Sequence, residues 1–287
     1  MAGFLVSCKH MVEVFLFLFG IAMGSFLNVV ALRYDGTHFL FNPKQIGGRS
    51  HCPHCKRTLR WFELLPVLSF IVQGGRCRRC GAVIGWQYPI VELLSGFIFL
   101  LVPMYFTFLL GPSVLWVIVF EILLLVAYID ILLGIIPDEL NIALIILGLF
   151  ETFLFFGGAG APNLSFFGPY AAIFGLQGNV LINHFLAAMI GAIFFGSLVA
   201  ITRGKGMGMG DVKLAFPLGL LFGWPDIVVI SLMAFVIGGI FGFGLILSGE
   251  KTMKSAVPFG PFLVVACVIA FFFGPALFGW YFHMIGL

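Results

Sequence analysis

Gly208-Met209-Gly210-Asp211-Val212-Lys213-Leu214-Ala215-Phe216-Pro217-Leu218-Gly219-Leu220-Leu221-Phe222-Gly223-Trp224 is the stretch on which the fold turns. As a helix over about residues 211–224 it rises only ~21 Å, whereas the hydrocarbon core of a bilayer is ~30 Å thick. It is therefore either a short full crossing or a re-entrant element, and everything after it changes side accordingly. Charge arbitrates. Basic clusters stand at 33–80, at Arg203, Lys205 and Lys213, and at Lys251 and Lys254. With this stretch crossing and the N-terminus outside, all three fall on the cytoplasmic side, as the positive-inside rule asks. Without the crossing, Lys251 and Lys254 would lie outside. A short helix is tolerable where it borders a water-filled cavity.

Composition points the same way. The 287 residues are 61% hydrophobic and 9% charged, whereas a soluble domain carries roughly a quarter charged residues. That excludes a soluble globular protein and predicts an all-α polytopic membrane protein of about eight transmembrane helices. Spans are expected at about 11–32, 88–110, 114–133, 139–157, 181–202, 211–224, 227–248 and 258–283, with an uncharged loop at roughly 158–179. Residues 33–80 hold nine of the fifteen Lys and Arg, and none lies between Arg79 and Arg203. The apolar run after Lys9 is too long for a cleavable signal peptide and lacks a small-residue cleavage site. Three parts follow: residues 1–33 as the first span, 34–87 as a cytoplasmic four-cysteine segment, and 88–287 as a seven-helix core. The partner this composition implies is the lipid bilayer, and no nucleic acid is expected.

In that topology Asp130, near the end of the third span, and Asp211, at the start of the sixth, share one membrane depth on the cytoplasmic side. Ionisable groups at such depth are costly and usually functional. Paired carboxylates that approach closely share a proton. The ionised member can activate water while the protonated one polarises a carbonyl, which is the chemistry of aspartic proteolysis. Gly208 and Gly210 would let another backbone come close to Asp211, since no Cβ stands in the way. Asp211 also reads as a helix N-cap. That alternative suits Asp130 less, because a carboxylate near a helix C-terminus opposes the dipole. Asp138, in Ile136-Pro137-Asp138-Glu139, reads as a cap opening the fourth span. Glu92, Glu121 and Glu151 read as structural groups within spans, and His184 as interfacial.

Cys52-Pro53-His54-Cys55 and Cys77-Arg78-Arg79-Cys80 are two C-x2-C knuckles separated by twenty-one residues. They predict a structural zinc site with four thiolate ligands, Cys52, Cys55, Cys77 and Cys80. Two disulfides are the alternative, which the reducing cytoplasm disfavours. A polar segment with so little apolar content needs a metal to supply folding energy. Arg57, Arg60 and Arg78 read as a solvated or lipid-headgroup face. Cys8 and Cys267 read as unpaired.

In these residues the sequence resembles the bacterial type IV prepilin peptidases, a GxGD aspartic protease family. The resemblance rests on Gly24-Ser25-Phe26-Leu27-Asn28, the two knuckles, and Tyr88-Pro89-Ile90-Val91-Glu92. It continues through Asp130 with Ile136-Pro137-Asp138, Gly208-Met209-Gly210-Asp211-Val212-Lys213 and Pro258-Phe259-Gly260-Pro261-Phe262. It covers nearly the whole chain.

What the resemblance implies is a multi-pass enzyme of the bacterial inner membrane with Asp130 and Asp211 as its catalytic pair. The substrate would be a prepilin or pseudopilin of type IV pilus or type II secretion systems, its short basic leader cut after a glycine. Many members then N-methylate the new amino terminus with S-adenosylmethionine; the resemblance assigns no residues to that step. Leu132 stands where the family often has a second acid, and Asn141 where Thr is common. A basic leader is not attracted by the basic segment 33–80. Asp130, Asp138, Glu139 and Asp211 would have to supply the local negative field. A non-enzymatic scaffold or channel, or a transporter using the carboxylates as a proton relay, are the rival readings.

Overall fold

The structure is a computed structural model and describes residues 2–156, 165–166, 179–249 and 257–284. Most of the expected 158–179 loop, together with Lys251 and Lys254, lies outside the described residues, as does the Cys8 side chain. The described chain is helical: α1 (Ala2–Arg33), α2 (Pro43–Ile46), α3 (Leu68–Val72), α4 (Gln87–Tyr105), α5 (Leu110–Leu133), α6 (Asp138–Phe156), α7 (Val180–Thr202), α8 (Met209–Phe222), α9 (Asp226–Leu247) and α10 (Gly260–Met284), plus one 3-10 turn at Trp61–Glu63. Among the described residues, six helices (α1, α4, α5, α7, α9 and α10) are long and apolar enough to cross a membrane. The nineteen residues of α6 and fourteen of α8 make up the remaining expected spans. The chain divides into two compact units, Met1–Leu125 and Val126–Leu287.

In the first unit α1 packs along α4. Ser95 Oγ sits at that seam, 2.6 Å from Gly20 O and 2.9 Å from Glu121 Oε1. Buried Glu121 is thus engaged in helix packing, the structural role expected of it. Exposed Ile90, Leu94, Phe97 and Leu101 recur at helical spacing along α4 and form its lipid-facing stripe.

The second unit is built around α8, which packs against α6, α7 and α9. Leu214, Ala215, Leu218, Leu220, Leu221 and Phe222 are all buried, so protein rather than lipid surrounds this helix, and its shortness costs no exposed backbone. A Cβ at Gly219 would lie 2.4 Å from the Ala188 backbone, and only a glycine lets α7 approach that closely. The helix ends at Gly223, with φ 74°. There Trp224 N–H turns to Asn183 Oδ1 (2.8 Å), and Asn183 Nδ2 donates to Trp224 O (3.0 Å). The Leu220 carbonyl, released from the helix ladder, accepts from His184 Nδ1 at 2.7 Å. His184 is therefore a partly buried cap for α8, a more specific role than the interfacial one its position suggested. The phenylalanines divide between core and surface. Phe195, Phe222 and Phe271 are fully buried in this unit, whereas Phe153 and Phe243 face outward.

Asp226, at the start of α9, is fully buried. Its carboxylate accepts from Ser165 Oγ (2.6 Å) and Phe166 N–H (2.8 Å), fastening that part of the long connection to the bundle.

Candidate active site and metal centre

Asp130 lies in the last turn of α5, which stops at Gly134 in the left-handed region (φ 67°). Its position opposes its own helix dipole, and a neighbouring helix supplies the compensation. Gly260 opens α10, and its N–H donates to Asp130 Oδ2 at 2.9 Å. The carboxylate thus meets the positive end of another helix. A Cβ on Gly260 would sit 2.7 Å from that same oxygen, so only glycine admits the contact. Sequence reasoning missed this residue as part of the site. The available signal was Gly260-Pro261, because proline favours the first turn of a helix.

Asp211 is buried in the first turn of α8. The N-cap is Gly208, and Asp211 is the third residue of the helix, so the cap reading is corrected. Its carboxylate takes a hydrogen bond back from the Gly208 amide, the acidic half of a capping box, and Asp130 acts on it electrostatically. The two carboxyl groups, 81 residues apart in sequence, are thereby brought together.

Three further contacts gather the same end of the second unit. A Cβ on Gly210 would meet the Ile136 side chain at 3.3 Å, whereas one on Gly208 would make only ordinary contacts at 3.9 Å, to Asp211 Oδ2 and Gly210 N. Gly208 is thus uncrowded, while a side chain occupies that side of Gly210. Asp138 Oδ1 and Oδ2 both accept from Lys213 Nζ, at 2.7 and 2.9 Å. Asp138 stands first in α6 as expected, but its carboxylate pairs with lysine rather than capping the backbone. Its contribution to a negative field is correspondingly offset. Asn141 is buried, and neither its Oδ1 nor its Nδ2 has a hydrogen-bond partner among the described residues.

The four-cysteine segment folds as two similar knuckles. Cys52 N–H bonds to Arg57 O and Lys56 N–H to Cys52 O; Cys77 N–H bonds to Ala82 O and Gly81 N–H to Cys77 O. Lys56 (φ 53°) and Gly81 (φ 71°) turn the chain after the second cysteine of each. The four Sγ atoms lie within 4.8 Å of one another. A tetrahedral site with ~2.3 Å zinc–sulfur bonds separates its sulfurs by ~3.8 Å, so the donor set fits such an ion. N–H groups of Cys80 and Arg79 pull the Cys77 thiol down to about 6. The Ala82 N–H acts likewise on Cys80, yet desolvation and the neighbouring sulfurs push that thiol up to about 11. Four sulfurs this close do not all ionise unless a cation sits among them. Cys267 is a free buried thiol elsewhere, as expected.

One basic residue departs from the expected solvated face. Arg57 pairs with buried Glu63, whose other oxygen accepts from Arg60 N–H at 2.8 Å. The Arg60 N–H, with the Arg57 cation, holds the Glu63 carboxyl below its ordinary range despite burial. Arg78 lies over the Phe62 ring at 5.3 Å.

Fold and centres together define a helical, polytopic membrane protein carrying a four-cysteine cluster that could hold a metal ion. Residues 18–106 match the bacterial peptidase A24 N-terminal domain, and residues 117–243 the type IV leader peptidase family. The chain is 31% identical over 285 residues to a prepilin leader peptidase/N-methyltransferase of Aeromonas hydrophila, covering 92% of each protein. It is 30% identical over 271 residues to the protein of that name in Bacillus subtilis, covering 94% of this chain and 97% of the relative. No solved structure matches it. The chain belongs to the type IV leader peptidase family.

Proposed function

We propose that Asp130 and Asp211 are the catalytic pair of a membrane aspartic endopeptidase that removes the leader of prepilins or pseudopilins. The observation that carries this reading is the meeting of two buried carboxyl groups where α5 ends and α8 and α10 begin. One proton serves both. The ionised carboxylate takes a proton from water, and the resulting hydroxide adds to the scissile carbonyl while the protonated carboxyl hydrogen-bonds its oxygen. Collapse of the tetrahedral intermediate transfers a proton to the departing amine. The Gly260 N–H leaves one Asp130 oxygen free and fixes its direction. The uncrowded side of Gly208 is where the peptide backbone would approach Asp211.

Cys52, Cys55, Cys77 and Cys80 would hold zinc, which would supply folding energy to the segment, and no step of the hydrolysis is assigned to it. The relatives' names add N-methylation of the new amino terminus to peptidase activity, and S-adenosylmethionine is the donor that step would use. No described residue is assigned to it. Residues 34–87 and the catalytic end are read as cytoplasmic and the N-terminus as outside, from the distribution of Lys and Arg. Residues 1–33, 34–87 and 88–287 are read as first span, metal-binding segment and protease core.

Incubating the purified, metal-loaded protein with a prepilin tests the whole reading. Leader loss followed by a mass gain of one methyl group on the mature N-terminus is expected with S-adenosylmethionine present. Absence of leader loss from correctly inserted protein would overturn it.

A further inference from the structure

Between the knuckles, residues 61–72 run Trp61-Phe62-Glu63-Leu64-Leu65-Pro66-Val67-Leu68-Ser69-Phe70-Ile71-Val72. A segment this apolar in a soluble loop would bury its side chains, yet Trp61 is 76% exposed, Leu68 61%, Ile71 66% and Val72 70%. The backbone is nonetheless firmly placed. Val67 N–H donates to Glu92 Oε2 of α4 at 2.7 Å, and the Phe70 ring lies 5.0 Å from Trp86, the residue that precedes α4. Val67 itself has φ 59°. That conformation is costly for a β-branched residue and persists only where its surroundings hold it.

These two contacts set a depth. Trp86 to Glu92 is about 9 Å of helix rise, measured from the start of a membrane-spanning helix. Elements lying in a membrane interface bury their apolar face ~5–10 Å into the boundary between headgroups and acyl chains. The contacts of Val67 and Phe70 place α3 beside the first turns of α4, over a rise within that range. Around them the sequence supplies cations. Lys56, Arg60, Arg76, Arg78 and Arg79 are exposed, while Glu63, the one acid between residues 50 and 86, is buried against Arg57.

We propose that residues 61–72 are a monotopic anchor that seats the four-cysteine segment in the surface of an anionic bilayer. Leu68, Ile71 and Val72 enter the acyl boundary, Trp61 lies among the headgroups, and Arg60 and Arg76, which flank the segment in sequence, pair with lipid phosphates. Glu92 is the positioning residue: by holding Val67 N–H it fixes the direction in which α3 leaves the end of α4. The knuckles are thus docked on the membrane rather than tethered to it by flexible linkers.

The test uses full-length, zinc-loaded protein in vesicles containing phosphatidylglycerol. A benzophenone side chain is placed at position 68, 71 or, as a control, 79. Phospholipid adducts at 68 and 71 but not at 79 are expected. Adducts with protein, whether this chain or an added prepilin, or no lipid adduct at 68 and 71, would overturn the proposal. Replacing both Leu68→Asp and Ile71→Asp should make trypsin cleavage within residues 40–85 at least about tenfold faster, because cleavage tracks the undocked population. Zinc content should be unchanged, which shows that the knuckles still fold. Unchanged trypsin resistance with zinc retained would also contradict the anchor.

Discussion

Asp130 Oδ2 accepts a hydrogen bond from Gly260 N–H at 2.9 Å, joining the last turn of α5 to the first residue of α10 across 130 positions of sequence. The contact exists because residue 260 has no side chain. Gly260→Ala would place a methyl group 2.7 Å from the carboxylate, so either Asp130 or the start of α10 must move. A displacement of about 1 Å at a reacting group costs on the order of a hundredfold in rate. The expected outcome is a loss of prepilin cleavage of that order, with circular dichroism and membrane insertion unchanged. Cleavage within about twofold of wild type would show that the bond does not position the carboxylate.

Asn141 predicts an inverted stability effect. A buried amide without partners loses solvation and gains nothing. Asn141→Leu should therefore raise the thermal midpoint, by an amount corresponding to about 1–3 kcal/mol. A lower midpoint in detergent would mean that the amide is satisfied in the folded protein.

The knuckles predict metal dependence. Cys55→Ser or Cys77→Ser should release zinc and expose residues 40–85 to protease, while the spans remain inserted. Elemental analysis after purification under reducing conditions without chelator measures the first effect and limited trypsinolysis the second. Protein devoid of zinc under those conditions would contradict the metal assignment.

Much of this arrangement was legible in the sequence for physical reasons. The apolar stretches report their own lengths, and all eight reappear as helices, seven of them within about five residues of the expected bounds, while α1 begins nine residues earlier than expected. The cysteine spacing sufficed for the cluster, because each knuckle is local. Asp130 and Asp211 could be matched because membrane depth turns sequence position into a spatial coordinate. The misses are choices of hydrogen-bond or ion-pair partner. Asp138 has the position and residue type of a cap, but a long lysine two residues beyond Asp211 reaches it first. Arg57 resembles its exposed neighbours in sequence, and only folding brings it to Glu63. Gly260-Pro261 marks a helix start, but that its amide serves Asp130 could not be read before α10 was placed against α5.

Asp138 and Lys213 provide a control beside the catalytic pair. Their side chains are 62% and 50% exposed, and exposed ion pairs contribute ~0–1 kcal/mol. Asp138→Asn and Lys213→Met, singly or together, should lower stability by no more than about that amount and leave cleavage largely intact. A double-mutant cycle in urea gives the coupling. A large loss of cleavage at unchanged stability would move this pair into the catalytic machinery.

The central claim is that Asp130 and Asp211 act as one unit on one proton. Asp130→Asn and Asp211→Asn preserve size and hydrogen bonding but cannot ionise. The decisive measurement is the rate of prepilin leader cleavage by each variant and by the double variant, in protein shown to be inserted and zinc-loaded. Cleavage should be abolished in each single variant, and the double variant should be no worse, because members of a catalytic unit fail together. An inserted, zinc-loaded Asp211→Asn protein that cleaves prepilin at a near wild-type rate would contradict the account and leave Asp211 as a residue that only closes the first turn of α8.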